Sequence, residues 1–179
     1  SNTNFGTDRV GTFRVDATGT TLSGQLTANL APMTFSTNGT GSLTATGKIT
    51  GTNGLTLLSH NLGGTALTVT LNNAAGTNDY AGDTVINSNA QSGRSYTLAL
   101  GAANQIPNGA GKGNVTINTN GSGVGRLNLG GFSETINGLS GSGTVDGVSG
   151  SPTLTVGDNN ATSSFSGTII NTAGNLALA

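Results

Sequence analysis

Apolar and polar residues alternate in short runs along the whole chain. Ala66-Leu67-Thr68-Val69-Thr70-Leu71, Asn114-Val115-Thr116-Ile117-Asn118, Thr153-Leu154-Thr155-Val156 and Thr12-Phe13-Arg14-Val15-Asp16 each follow this rule. In an extended backbone that pattern puts Leu, Ile and Val on one side and Thr, Asn and Ser on the other. The runs have about the commonest strand length. Most begin with Gly, then a polar residue, then an apolar one, as in Gly11-Thr12-Phe13, Gly24-Gln25-Leu26, Gly47-Lys48-Ile49, Gly125-Arg126-Leu127, Gly143-Thr144-Val145 and Gly167-Thr168-Ile169. Each reads as a turn followed by the restart of a strand. Helix signals are sparse, because Gly and β-branched Thr interrupt every window. The best helical stretch, Leu98 to Gln105, is limited to a turn or two by Gly101 and Pro107.

Longer spacings predict strands stacked in a coil. Leu43 to Gly51 matches Leu139 to Gly147 at an offset of 96 residues, Gly24 to Gly47 is 23, and Gly143 to Gly167 is 24. A period in the low twenties suits one rung of a parallel β-helix, a single-stranded β-solenoid. At about 4.8 Å per rung, seven or eight rungs make a rod roughly 35–40 Å long. Few runs hold a large aromatic residue, so the interior is expected to be narrow and aliphatic. The least regular stretch, at about 87–113, is expected to protrude as a loop. A β-sandwich is the alternative, since Asn38-Gly39, Asn53-Gly54, Asn108-Gly109, Asn120-Gly121 and Asn137-Gly138 are hairpin signals.

Composition narrows the partners. The 179 residues suit one segment, 1–179; they include 31 Gly and 3 Pro, and only 7% are charged. Arg9, Arg14, Lys48, Arg94, Lys112 and Arg126 are scattered, which argues against nucleic-acid binding. There is no Cys, hence no disulfide or thiolate metal site. No apolar run is long enough to span a bilayer as a helix, and no signal peptide is visible. The chain reads as a processed product or an excised segment of a longer protein.

The series from Asn78 onward resembles a known family. Asn78-Asp79-Tyr80-Ala81-Gly82-Asp83-Thr84-Val85-Ile86-Asn87 is similar to the autotransporter-associated β-strand repeat, also called the passenger-associated transport repeat, with Asp83 where that family usually has Gly. Tyr96 to Gly101, Ile106 to Gly109, Arg126 to Gly131, Ile136 to Val145, Leu154 to Gly157 and Ser164 to Ile169 follow in the expected order. The likeness covers about 78–176; residues 1–77 match less well. It implies a right-handed parallel β-helix, a bacterial type V secretion passenger at the cell surface, and no known catalytic residue.

Chemistry is thin. The acids are Asp8, Asp16, Asp79, Asp83, Glu134, Asp146 and Asp158. Asp79 and Asp83 are close enough to share Ca²⁺, although Asp in such turns more often bonds its own backbone. A polysaccharide-degrading enzyme would need Asp79, Asp83, Asp146 or Asp158 to converge in a groove, with Ca²⁺ or Arg94 beside them. No basic residue lies near Asp79 and Asp83 in sequence. His60, the one histidine, reads as a surface turn. Gly109 to Gly113 lacks the Gly-Lys-Ser/Thr ending of a phosphate loop, and Gly64 and Gly76 fare no better. Gly130-Gly131-Phe132-Ser133 departs from the Ca²⁺-binding Gly-Gly-x-Gly-x-Asp repeat. Thr18/Thr20, Thr44/Thr46, Thr50/Thr52, Thr68/Thr70 and Thr153/Thr155 would form an ice-binding face only if the pairs stood in register.

The expected function is therefore structural: an extracellular or cell-surface rod, either a stalk or a self-assembling filament segment. Its partners would be neighbouring rungs of a longer parent or other copies end to end, and no catalytic residue, cofactor or membrane insertion is expected. The alternative is a carbohydrate-binding or adhesion module with a surface-glycan patch using Tyr80, Tyr96 or Phe132.

Overall fold

In the computed structural model, residues 12–37, 39–58, 66–74, 76–87 and 93–179 are described. They form eighteen strands, numbered in chain order, and no helix. The strands fall into three columns. The first holds β1 (Thr12–Arg14), β4 (Met33–Ser36), β7 (Leu55–Leu57), β9 (Thr84–Asn87), β11 (Val115–Asn120) and β14 (Leu139–Gly141). The second holds β2 (Thr20–Leu22), β5 (Thr40–Ala45), β8 (Ala66–Leu71), β10 (Ser95–Leu100), β12 (Gly123–Asn128), β15 (Thr144–Asp146) and β17 (Thr168–Ile170). The third holds β3 (Leu26–Thr27), β6 (Ile49–Thr50), β13 (Glu134–Ile136), β16 (Thr153–Val156) and β18 (Ala177–Leu178), its two strand groups being separate sheets.

Within every column neighbouring strands are parallel. The one antiparallel pairing among the described residues is the hairpin between β11 and β12, where Asn120 faces Gly123. It joins the first two columns into one curled, mostly parallel sheet of thirteen strands. Asn120-Gly121 is thus the Asn-Gly pair that turns a hairpin. The Asn53, Asn108 and Asn137 pairs instead connect strands of different columns that do not pair with each other, and Asn38 lies outside the described residues.

The chain visits the columns in turn, although among the described residues no third-column strand stands between β8 and β9 or between β10 and β11, and equivalent side chains meet in lines. Leu43, Val69, Leu98, Leu127 and Val145 are successive partners in the second column, and all are buried. Phe35, Leu57, Ile86 and Ile117 do the same in the first. The alternation predicted for Ala66–Leu71 holds at every position, with Leu67, Val69 and Leu71 inward. Removing such a side chain from water is worth about 1.5–3 kcal/mol, so these lines supply most of the packing.

Several expectations need correction. Leu98–Leu100 end β10 and are not helical, since Leu98 and Leu100 already face the core in a strand. The segment expected to loop at about 87–113 contains β10, together with buried Gln105 and Ile106. The interior is not purely aliphatic, because Tyr80, Tyr96 and Phe35 are among its largest buried side chains. The 96-residue match joins unlike places: Leu43 stands in β5 of the second column, whereas Leu139 stands in β14 of the first. The step between partners is not constant, being 22 residues from Thr12 to Thr34, 29 from Leu55 to Thr84, 31 from Thr84 to Val115 and 24 from Val115 to Leu139. The shorter glycine spacings do hold. A Cβ on Gly47 would strike the carbonyl oxygen of Gly24, and one on Gly167 that of Gly143. Those glycines stack directly because two backbones pass where no side chain fits.

Candidate functional site

Beside the third column lies an open cleft of about 580 Å³, lined by Asp79, Asn104, Asn108, Lys112, Thr135 and Asp158 among others. Its groups come from four stretches of sequence. Buried polar side chains hold those stretches in place.

Asn137 does the most. Its Nδ2 donates to the carbonyl oxygens of Gly109 (3.1 Å), Lys112 (2.9 Å) and Gly113 (3.1 Å), and its Oδ1 accepts the Gly109 N–H at 2.8 Å. The turn that carries Lys112 is therefore built around one side chain. That arrangement accounts for Gly109 to Gly113 as structure, with no phosphate needed. Beside it, Asn108 Nδ2 donates to the Thr135 carbonyl at 2.9 Å.

A second set runs through the interior. Asn78 Oδ1 accepts the Ile49 N–H at 2.8 Å, and Asn78 Nδ2 donates to the Gln105 carbonyl at 2.8 Å. Gln105 Oε1 accepts the Asn73 N–H at 3.2 Å. Glu134 completes the series by accepting the N–H groups of Gln105 and Ile106. Each buried polar atom satisfied in this way avoids about 1–3 kcal/mol of desolvation penalty. Among the described residues the Asn73 Oδ1, Tyr96 hydroxyl and Ser36 Oγ are buried without a partner.

The two acids proposed for Ca²⁺ have other partners. Asp79 Oδ2 pairs with Lys48 Nζ at 2.6 Å, and this hydrogen bond holds the Asp79 carboxyl below its ordinary range, with help from Thr50. Lys112 Nζ donates to the Asp79 carbonyl. The sequence suggested no base near Asp79, but the fold brings up two lysines from the preceding and following rows. Asp83 Oδ1 accepts the Asn114 N–H at 2.8 Å, so it caps the next row and not its own turn. No group of three or more His, Cys, Asp or Glu able to hold a metal ion occurs among the described residues.

The other named residues scatter. Asp146 is fully buried and accepts from Arg126 Nη1 at 3.1 Å, from the Thr172 N–H at 3.1 Å and from the Thr172 hydroxyl at 2.8 Å. Asp16 pairs with Arg14. Arg94, just before β10, is buried and does not line the cleft. Of the acids expected to converge, Asp79 and Asp158 share the cleft while Asp83 and Asp146 stand apart. Asp8, His60 and Gly64 lie outside the described residues. Tyr80 and Tyr96 are 1% and 0% exposed, which removes them as an adhesive patch; Phe132 is 37% exposed. Burial raises the Tyr80 hydroxyl pKa, and that hydroxyl bonds Thr84 Oγ1 at 2.7 Å. The threonine pairs lie in two columns: Thr44 meets Thr70 in the second, while Thr50 and Thr153 belong to the third. They form no continuous paired array.

Sequence reasoning missed Asn73, Gln105 and Asn137 and gave Glu134 no role. A signal existed for Glu134, which has the same inward parity as Ile136 in an alternating run. Comparison with known proteins finds no match among protein-family models, curated proteins or solved structures.

Proposed function

We propose that the chain is a structural rod segment, a right-handed parallel β-solenoid belonging to a secreted bacterial surface protein. The single observation behind this reading is the unbroken inward line Leu43, Val69, Leu98, Leu127 and Val145, carried by parallel pairing from row to row. Each row then counts as one coil, and the variable steps are insertions at the turns. Right-handedness follows from the strong preference of parallel crossovers. The ordered likeness of Asn78 to Ile169 to the autotransporter repeat supports an extracellular or cell-surface location.

A rod of this kind works through backbone pairing and a continuous apolar axis, with neither a catalytic residue nor a cofactor. Its partners are further coils, from the same parent chain or from another copy. Ile169 pairs with Val145 and Leu178 with Leu154, so both extend buried lines, yet they are 40% and 60% exposed. A further coil over them would bury apolar surface and satisfy the open strand edge.

The test is a tandem fusion of two copies. The reading expects one rod about twice as long by electron microscopy, unfolding in one transition at a higher temperature than the single chain. Two separate beads that melt at the single-chain temperature would overturn it.

A further inference from the structure

The cleft beside the third column has a second use that the rod does not require. We propose that it binds a neutral oligosaccharide. Its volume of about 580 Å³ falls in the ordinary range of small-molecule sites.

The lining is a mixture that suits sugar hydroxyls. Asp79 and Asp158 offer carboxylate acceptors, Lys112 offers a cationic donor, and Asn104, Asn108 and Thr135 offer amide and hydroxyl groups. A hydroxyl both donates and accepts, so neighbouring hydroxyls on one ring satisfy such a set in pairs. An acidic ligand would meet two carboxylates, and a cation would meet Lys112 with Lys48 close by on Asp79. No buried aromatic slot is present in the lining to anchor a peptide side chain.

The groups are also held before any ligand arrives. Lys112 is fixed through the Asn137-centred turn and its own bond to the Asp79 carbonyl. Asn108 is tied to the Thr135 carbonyl, and the backbone beneath Asn104 and Pro107 is clamped by Glu134. Binding therefore orders few side chains, which lowers its entropic cost. Asp158 is exposed and makes no side-chain hydrogen bond among the described residues, so its carboxylate is available at the rim.

The test uses the whole chain and saturation-transfer NMR, with titration calorimetry for affinity. The probes are short, unmodified neutral oligosaccharides of hexoses and N-acetylhexosamines, with an acidic oligosaccharide and CaCl₂ as separate arms. Binding to at least one neutral probe is expected, weakened about tenfold or more by Asp158→Asn or Lys112→Met, as loss of a charge-assisted hydrogen bond implies. Asp158→Asn is at an exposed position and should leave circular dichroism and melting unaltered, Lys112→Met loses its bond to the Asp79 carbonyl but should keep the native circular dichroism, and Thr97→Ala on the second column should leave affinity unchanged. Three results would each overturn the proposal: no neutral probe binding at millimolar concentration, response only to CaCl₂ or the acidic probe, or affinity indifferent to both cleft variants in a folded protein.

Discussion

Glu134 holds the backbone of Gln105 across one row: its Oε2 accepts the Gln105 N–H at 2.9 Å, while Oε1 accepts the Ile106 N–H at 3.0 Å. The carboxyl sits at an inward position paired with Leu154 and is 1% exposed. Burial pushes its pKa up to about 7, and the two amides only partly counter that rise.

Stability should therefore fall with rising pH. The folded pKa lies above the ordinary 4.5, so the contribution is fully present below about 4.5 and is lost as pH rises through about 7. The full loss is on the order of 3 kcal/mol. Urea unfolding between pH 4 and pH 8 measures it as a falling midpoint. Glu134→Gln, which cannot ionise, should flatten that slope; equal slopes in the two proteins would refute the assignment.

Asn137→Ala should destabilise by about 3 kcal/mol, because it strips partners from the Gly109, Lys112 and Gly113 carbonyls and from the Gly109 N–H. Amide exchange at Gly109 should accelerate more than at Leu98 in the core.

Two glycine substitutions should differ sharply. Gly47→Ala places a Cβ against the Gly24 carbonyl and should cost about 3 kcal/mol, whereas Gly39→Ala meets open space and should change stability by less than about 0.5 kcal/mol. Thermal melting of the two variants side by side checks the contrast.

Asp146→Ala leaves Arg126 and Thr172 without their shared buried acceptor and should cost about 3 kcal/mol. Asp146→Asn keeps a carbonyl oxygen for Thr172 and should cost less. Denaturant midpoints rank the three proteins, and a smaller loss in the Ala variant than in the Asn variant would contradict this geometry.

The strands were legible because side-chain direction in an extended backbone depends only on position parity. Ala66–Leu71 and Thr153–Val156 could be bounded from that rule alone. The stacking of Gly24 with Gly47 was legible too, since an unbroken step leaves both glycines at the same turn. Strand partners became illegible wherever a step lengthened, as between Leu55 and Thr84. Nothing in a local pattern limits how many residues a turn absorbs.

The sequence by itself determined an all-β chain, which side chains of the alternating runs face inward, and where glycine marks a turn. These follow from nearest-neighbour sterics and the two-residue period of a strand. Only the tertiary structure decided that Tyr80 lies inside with its hydroxyl on Thr84, that Lys48 and Lys112 meet at Asp79, and that Glu134 is buried against two amides. Apart from the local Tyr80–Thr84 bond, those contacts join residues from different rows, and their energies depend on desolvation and on partners that arrive only when the rows close against one another.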